Sequence, residues 1–321
     1  MSVDYTYAVA RLRAIEASLP DRAWFQRLVR APADALLGAV REGCGAFDAV
    51  EALHRFEDGI EAEKEATLRL VCGLVGDEGV STFLRASHDF DNLAHAWKAA
   101  LLDRPASLTG YGVVDPMTLE EAVRKGRLSD LPDFLRETAE ALDAEGDAIG
   151  PADVAYRVER HKWRWLLGAA PDATARRHVS GRIDLLNVRS IVRAHRDPFR
   201  RERIVEGLLE GGLVERSRWV ALAGEPESEL YSFLGLSDYR LLVRLGLGVD
   251  CPLWKLDPIV VATTIELGRG SAYRFFDIGP VLHHLDLRDR NCRLLRMVLA
   301  GKVNEVPDEI VQENVDALWP S

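Results

Sequence analysis

The sequence predicts an all-α protein built from three similar helical units. Three observations support this: a helical motif that recurs, apolar residues spaced three and four apart along most of the chain, and few runs of alternating apolar and polar residues. The motif is an Asp, an Asn three residues later, an aliphatic residue four later and a base nine later. Its two complete copies are Asp89, Asn92, Leu93 and Lys98, and Asp184, Asn187, Val188 and Arg193.

A third copy of the motif is degenerate and keeps only the amide, in Asn291. Arg288 stands where the other copies have Asp, and Cys292 stands where they have an aliphatic residue. The three asparagines are about 100 residues apart, which is also the size of unit into which chains of 321 residues tend to divide. We therefore predict three helical repeat domains, over residues 1–108, 109–200 and 201–321.

The first hundred residues are expected to be helical almost throughout. Asp4 can cap a first helix, which Pro20 ends. After two short helical segments, the spacing over residues 47–74 predicts one long amphipathic helix of about seven turns. The first motif helix follows it and ends near Asp103.

Prolines and glycines divide the middle of the chain. A linker is predicted over residues 105–117, where glycine and proline are frequent. Thr118 with Glu121 predicts a capping box at the start of the next helix. Gly150-Pro151 starts a further helix, and Pro171-Asp172 opens the second motif helix.

The last third of the chain is predicted to begin with short helices and to end with long ones. The short helices are placed at residues 202–209, 227–235 and 237–246. A longer helix is expected after Asp257-Pro258 and ends near Leu267. The third motif helix follows Gly279-Pro280, and Pro307 starts a terminal helix.

Composition and charge exclude several classes of function. The net charge of −10 disfavours nucleic acid and anionic lipid surfaces as partners. The most apolar run, residues 259–265, is far shorter than the roughly 20 residues of a membrane-spanning helix, so no direct membrane insertion is expected. No phosphate-binding glycine loop or nucleophile elbow occurs, and no cofactor is predicted. Four widely separated cysteines and the absence of a signal peptide at the N-terminus predict reduced thiols in a cytoplasmic protein.

One helical face could carry metal ligands. His88, Asp91 and His95 are spaced by three and four residues, so they share a face of the first motif helix. No fourth ligand can be named, and hydrogen-bonded or solvated histidines are the favoured interpretation. A metal-dependent helical enzyme using these three residues stays open as an alternative. A second candidate, His283-His284 with Asp286, is weaker because adjacent helical residues diverge around the axis.

The repeated Asp and Asn also allow two interpretations. Spaced by three on one face, they could bind a ligand, or they could hydrogen-bond neighbouring backbone and basic side chains and so fix helix packing. Recurrence favours the structural role, since a catalytic site would need one copy only. We predict structural polar contacts at Asp89, Asn92, Asp184, Asn187 and Asn291, with no catalytic residue. Within the predicted second unit, the spacing of Arg160, Lys162 and Arg164 indicates a solvated basic face.

Three stretches resemble a known family, the C subunit of V-type and A-type ATPases, which is similar to the eukaryotic d subunit. They are the N-terminal segment from Tyr5 to Arg13, the motif helices at 89–98 and 184–193, and the closing segment 279–310. The family usually has an acidic residue and an aliphatic residue where Arg288 and Cys292 stand.

The resemblance implies a funnel of three helical domains with pseudo-threefold symmetry. Such a protein is a non-catalytic rotor adaptor: it holds the tip of the central stalk and rests on the membrane proteolipid ring. The implied partners are the central-stalk subunits D and F and that ring, and the implied location is cytoplasmic, peripheral to the membrane. A generic helical scaffold stays open as a further alternative, for which an open superhelix is expected.

Overall fold

A computed structural model describes residues 4–146 and 149–319, and this part of the chain contains sixteen α-helices, a few short 3-10 turns and no β-strand. The predicted all-α class is confirmed. The helices are α1 (Thr6–Glu16), α2 (Arg22–Arg30), α3 (Ala33–Gly43), α4 (Phe56–Val75), α5 (Glu78–Leu101), α6 (Pro116–Arg124), α7 (Asp133–Asp143), α8 (Pro151–Ala169), α9 (Ala173–Arg196), α10 (Arg201–Glu206), α11 (Arg216–Gly224), α12 (Glu227–Gly235), α13 (Arg240–Arg244), α14 (Leu253–Arg269), α15 (Gly279–Val303) and α16 (Asp308–Ala317).

The six longest helices form three consecutive pairs, α4 with α5, α8 with α9, and α14 with α15. Within each pair the second helix is the longer and carries a copy of the motif. Between pairs, α5 packs on α8, α9 on α14, and α15 returns to α4. The contacts therefore close into a circuit, which we call the helix ring. An open superhelix would leave its first and last helices apart.

Both ends of the chain contribute to one hydrophobic core. Buried apolar residues of segment 25–60 pack with those of segment 292–318, and α2 lies directly against α15 and α16. A second core is formed within residues 90–158 and a third within residues 185–260. The division at residues 108 and 200 stays a prediction, and the first core joins segments from its first and third units.

The long helix predicted over residues 47–74 begins only at Phe56, so its first two turns were predicted wrongly. The ring of Phe47 packs against α4 at Gly59, where a Cβ atom would lie 2.7 Å from Phe47 Cδ1. This contact requires the preceding segment to fold back over α4 through short 3-10 turns. Apolar spacing alone does not distinguish such a return from a continuous helix.

Two other helix starts differ from prediction. Asp115, not Thr118, caps α6: its carboxylate accepts a hydrogen bond from the Thr118 N–H at 2.9 Å, and Pro116 occupies the first turn. The predicted capping box is therefore wrong. Helix α14 begins at Leu253, so Pro258 lies inside it rather than ahead of it.

Candidate interaction site on the helix ring

The first motif helix uses its Asp and Asn to hold the segment that follows it. Asp89 is fully buried, and its carboxylate accepts hydrogen bonds from the N–H groups of Val113 at 2.7 Å and Val114 at 2.9 Å. The Asn92 side chain accepts from the N–H of Thr109 and donates to its carbonyl, both at 2.9 Å. The predicted linker is therefore fixed to α5.

The second motif helix repeats this arrangement. Asp184, also fully buried, accepts from the N–H groups of Leu213 at 2.8 Å and Val214 at 3.1 Å. Asn187 accepts from the N–H of Leu209 at 2.8 Å and donates to its carbonyl at 3.0 Å. In both copies, the contacts join a motif helix to its own following loop rather than to another motif helix.

Asp184 receives two further hydrogen bonds that Asp89 lacks. The indole N–H of Trp219 donates to it at 3.0 Å and the hydroxyl of Tyr239 at 2.5 Å. Trp219 belongs to α11, a helix for which no prediction was made, and its side chain is fully buried. These bonds tie the helices that follow the loop to α9.

A glycine lets each loop approach its carboxylate. A Cβ atom at Gly112 would lie 2.8 Å from Cγ of Asp89, and one at Gly212 would lie 2.8 Å from Cγ of Asp184. Carbon atoms prefer separations of about 3.5–4.0 Å, so neither position accepts a side chain without movement. The segments 112–115 (Gly-Val-Val-Asp) and 212–215 (Gly-Leu-Val-Glu) are similar, so the sequence repeat extends beyond the predicted motif into the following loop.

A further equivalent pair lies four residues before each motif Asp. Arg85 donates from Nε to the carbonyl of Tyr111 at 3.0 Å, and Ser180 donates from its hydroxyl to the carbonyl of Gly211 at 2.7 Å. The side chains differ, but both satisfy a carbonyl of the same loop position. The repeat thus includes three helix positions and the loop.

The third copy has lost this system. Arg288 forms an ion pair with Glu63 and donates to the Thr67 hydroxyl at 3.1 Å, both on α4. Asn291 is 6% exposed, and its Nδ2 has no hydrogen-bond partner among the residues that the structure describes. Its Oδ1 accepts from Arg290 at 3.4 Å only. In this copy, Arg288 therefore holds the neighbouring ring helix α4 instead of a following loop.

The turns within the three pairs meet at one end of the ring. Each turn contains an Asp that accepts a hydrogen bond from a backbone N–H at the start of the next helix: Asp77, Asp172 and Asp277. Tyr5 lies among them, and burial together with these three charges raises its pKa to about 12. Helix α1 starts at this point and packs on α4 and α15.

A cavity of about 390 Å³ opens between five of the six ring helices, and many of its lining residues are charged. The charged and imidazole side chains in its walls are Lys64, His88, Asp91, Lys162, His178, Arg182, Asp286, Arg288, Asp289 and Arg293. Lys162 was predicted on a solvated face, but it is 7% exposed and forms ion pairs with Asp91 at 3.0 Å and Glu159 at 2.7 Å. The solvated assignment of Lys162 is therefore wrong.

Burial controls the protonation of the cavity's imidazoles and of its deepest carboxyl group. It lowers the pKa of His88 to about 4 and that of His178 to about 3, so both are neutral at pH 7. It raises the pKa of Asp286 to about 6. The Asp286 carboxylate lies 3.6 Å from Arg182 Nη1 and 3.7 Å from His178 Nε2, and its Oδ2 accepts no hydrogen bond from the described residues.

The three candidate metal ligands on the first motif helix do not point to a common site. His88 packs edge-on against Tyr111 with ring centroids 4.5 Å apart, Asp91 is paired with Lys162, and His95 is exposed. No group of three or more His, Cys, Asp or Glu side chains in residues 4–146 and 149–319 is placed to hold a metal ion.

The second set of candidate metal ligands, His283-His284 with Asp286, is divided between two environments. His284 contacts Glu16 of α1 at 3.2 Å through Nδ1. His283 and Asp286 lie instead beside Gly268 of α14.

A family model described as the ATP synthase (C/AC39) subunit matches residues 8–314. No curated protein matches the chain. Among the helices of the described residues, none combines the length and the apolar composition of a bilayer span.

Proposed function

The chain belongs to the ATP synthase (C/AC39) subunit family, and we propose that it is the rotor adaptor of a V-type or A-type ATPase, a socket that couples the central stalk to the membrane proteolipid ring. In this role it performs no chemistry. It transmits rotation between ATP hydrolysis or synthesis in the soluble motor and ion movement through the membrane part. Its location would be cytoplasmic, at the membrane periphery.

The observation that carries the proposal is the closed circuit of three helix pairs. Each pair has an aspartate in its turn, and two of the three second helices hold their following loops through the same set of contacts. This arrangement supports a pseudo-threefold funnel. A symmetric body around an axis suits a part that turns with a central shaft.

Transmission of torque requires that the adaptor does not deform. In each complete copy, a fully buried carboxylate and amide together fix a loop through four backbone hydrogen bonds. Buried hydrogen bonds to charged groups contribute about 1.5–3 kcal/mol each. Ring packing and these fixed loops together would make the body rigid.

The proposed partners are the central-stalk subunits D and F and the proteolipid ring. Two alternatives gain no support from the geometry. A metal-dependent enzyme lacks converging ligands at His88, Asp91 and His95. An open scaffold is at odds with the return of α15 to α4.

Isolation of the complex tests the proposal. The chain would carry an affinity tag at its C-terminus in the source cells, and membranes would be dissolved in a mild detergent. We expect stalk and proteolipid subunits to elute with it in fixed ratio, and deletion of its gene to abolish ion pumping while the soluble motor still hydrolyses ATP. If the chain elutes free of stalk and ring subunits, and pumping survives deletion, the assignment is wrong.

A further inference from the structure

A second cleft, which shares His178 and Arg182 with the ring cavity, lies between α9, α14 and the turn that joins α14 to α15. It encloses about 430 Å³, within the size range of small-molecule sites. Three arginines contribute to its walls: Arg177 and Arg182 from α9 and Arg274 from the turn. No carboxylate of the described residues lines it. The charged side chains in its lining are therefore all positive, and their carboxylate partners stand outside it.

The guanidinium groups are only loosely neutralised by neighbouring carboxylates. Arg177 Nη2 lies 3.2 Å from Asp238, Arg274 Nη1 lies 3.5 Å from Asp277, and Arg182 Nη1 lies 3.6 Å from Asp286. None of these contacts is bidentate. Arg177 and Arg274 are largely exposed, and exposed ion pairs contribute about 0–1 kcal/mol, so a better acceptor can replace their carboxylates. The partner of Arg182, in contrast, is the buried carboxylate of Asp286.

The rest of the cleft leaves room for a ligand. Gly270 has no atom within 4 Å of where its Cβ would stand, and at Gly181 the nearest such atom is 3.9 Å away. The start of α9 is not the source of positive charge, because Asp172 already accepts the N–H of Ala175 at 2.7 Å. The arginines are therefore the positively charged donors in its lining.

The turn beside the cleft is unusual for this ring. The α4–α5 and α8–α9 turns are short, whereas α14 and α15 are separated by residues 270–278. That segment exposes three aromatic side chains, with 69% of Tyr273, 54% of Phe275 and 87% of Phe276 accessible to solvent. Exposed aromatic side chains at this density are typical of surfaces that contact another protein or a membrane.

We propose that the cleft binds a phosphate group, either as a free phosphate compound or as the headgroup of an anionic lipid. Guanidinium groups match phosphate oxygens in charge and in hydrogen-bond geometry, and three of them supply enough positive charge for a dianion. With a free phosphate, the arginines alone hold the ligand. With a lipid, the neighbouring aromatic side chains enter the headgroup region as well.

Calorimetric titration tests binding of the free ligand. The purified full chain is titrated with inorganic phosphate and with pyrophosphate at low salt. We expect saturable binding that is weakened at least tenfold in Arg177→Ala and in Arg274→Ala. The matched control is Arg176→Ala, which removes a neighbouring exposed arginine that does not line the cleft. Because Arg177 and Arg274 are largely exposed, their variants should retain the helical content and melting temperature of the parent.

Sedimentation with vesicles tests the lipid source. Vesicles of phosphatidylcholine alone are compared with vesicles that also contain phosphatidylglycerol. Binding to the anionic vesicles only, reduced by Arg274→Ala and by Phe276→Ser, identifies the lipid headgroup. Calorimetric binding without sedimentation identifies a free phosphate. If neither probe binds, or if binding is the same in both arginine variants as in Arg176→Ala, the site does not exist.

Discussion

Replacement of Gly112 by alanine tests the central feature of the repeat, the contact between a buried carboxylate and its loop. Gly112 is not among the glycines with a positive φ, so its φ does not exclude alanine. The added methyl group would lie 2.8 Å from Cγ of Asp89 and closer still to Oδ1. Asp89 is fully buried and short, so it has no alternative position in solvent.

The cost follows from the hydrogen bonds that the methyl group displaces. Either the loop or the carboxylate moves, and the N–H groups of Val113 and Val114 lose their acceptor. Each such bond to a charged group is worth about 1.5–3 kcal/mol, so we expect the loss of both in Gly112→Ala to lower the free energy of unfolding by about 3–6 kcal/mol. Urea unfolding followed by circular dichroism measures this.

Gly110 supplies the matched control in the same loop. No atom lies within 4 Å of its Cβ position, and its φ is not positive. Gly110→Ala should leave stability unchanged or raise it by up to about 1 kcal/mol, since alanine reduces the freedom of the unfolded chain.

A double-mutant cycle decides whether the carboxylate is responsible. In an Asp89→Ala background the methyl group meets an empty space, so Gly112→Ala should then cost less than about 1 kcal/mol. A cost that persists in this background, or a single variant as stable as Gly110→Ala, would refute the reasoning.

Three further predictions concern buried polar groups, and urea unfolding measures each. Asp184→Ala should cost about 2–3 kcal/mol more than Asp89→Ala, because it also leaves an indole N–H and a phenol hydroxyl without an acceptor; equal costs would contradict this. Asn187→Leu should cost about 2–4 kcal/mol, because Asn187 bonds both backbone groups of Leu209. Asn291→Leu should be neutral or stabilising, because the Nδ2 of Asn291 has no partner among the described residues and its Oδ1 accepts only from Arg290 at 3.4 Å. Folding lowers the pKa of His88 from 6.5 to about 4, so the unfolded chain binds a proton more tightly at this residue. The contribution of neutral His88 to the free energy of unfolding is therefore fully present above about pH 6.5 and is lost as pH falls towards 4. His88→Gln should reduce the loss of stability between about pH 7 and pH 5 by about 2 kcal/mol, and an unchanged pH profile would exclude the effect.

Local periodicity was sufficient to find most of the helices and the polar residues of the motif. The starts of the second and third motif helices agree with the structure because Pro171-Asp172 and Gly279-Pro280 begin a helix through local effects, within one turn. Prediction failed where a tertiary contact decided the backbone. The ring of Phe47 packs on Gly59, and α4 begins only at Phe56 although the apolar spacing extends back to Phe47.

Apolar spacing and the recurring motif were enough to predict that the chain is helical, that a unit recurs in it, and that Asp89, Asn92, Asp184 and Asn187 share a face of their helices. Tertiary structure alone decided what those side chains bind. Their partners are mainly backbone N–H and C=O groups, which every residue offers apart from the N–H of proline, so no side-chain pattern marks them. The burial of Lys162 and the meeting of both chain ends in one core were likewise decided by packing between distant segments.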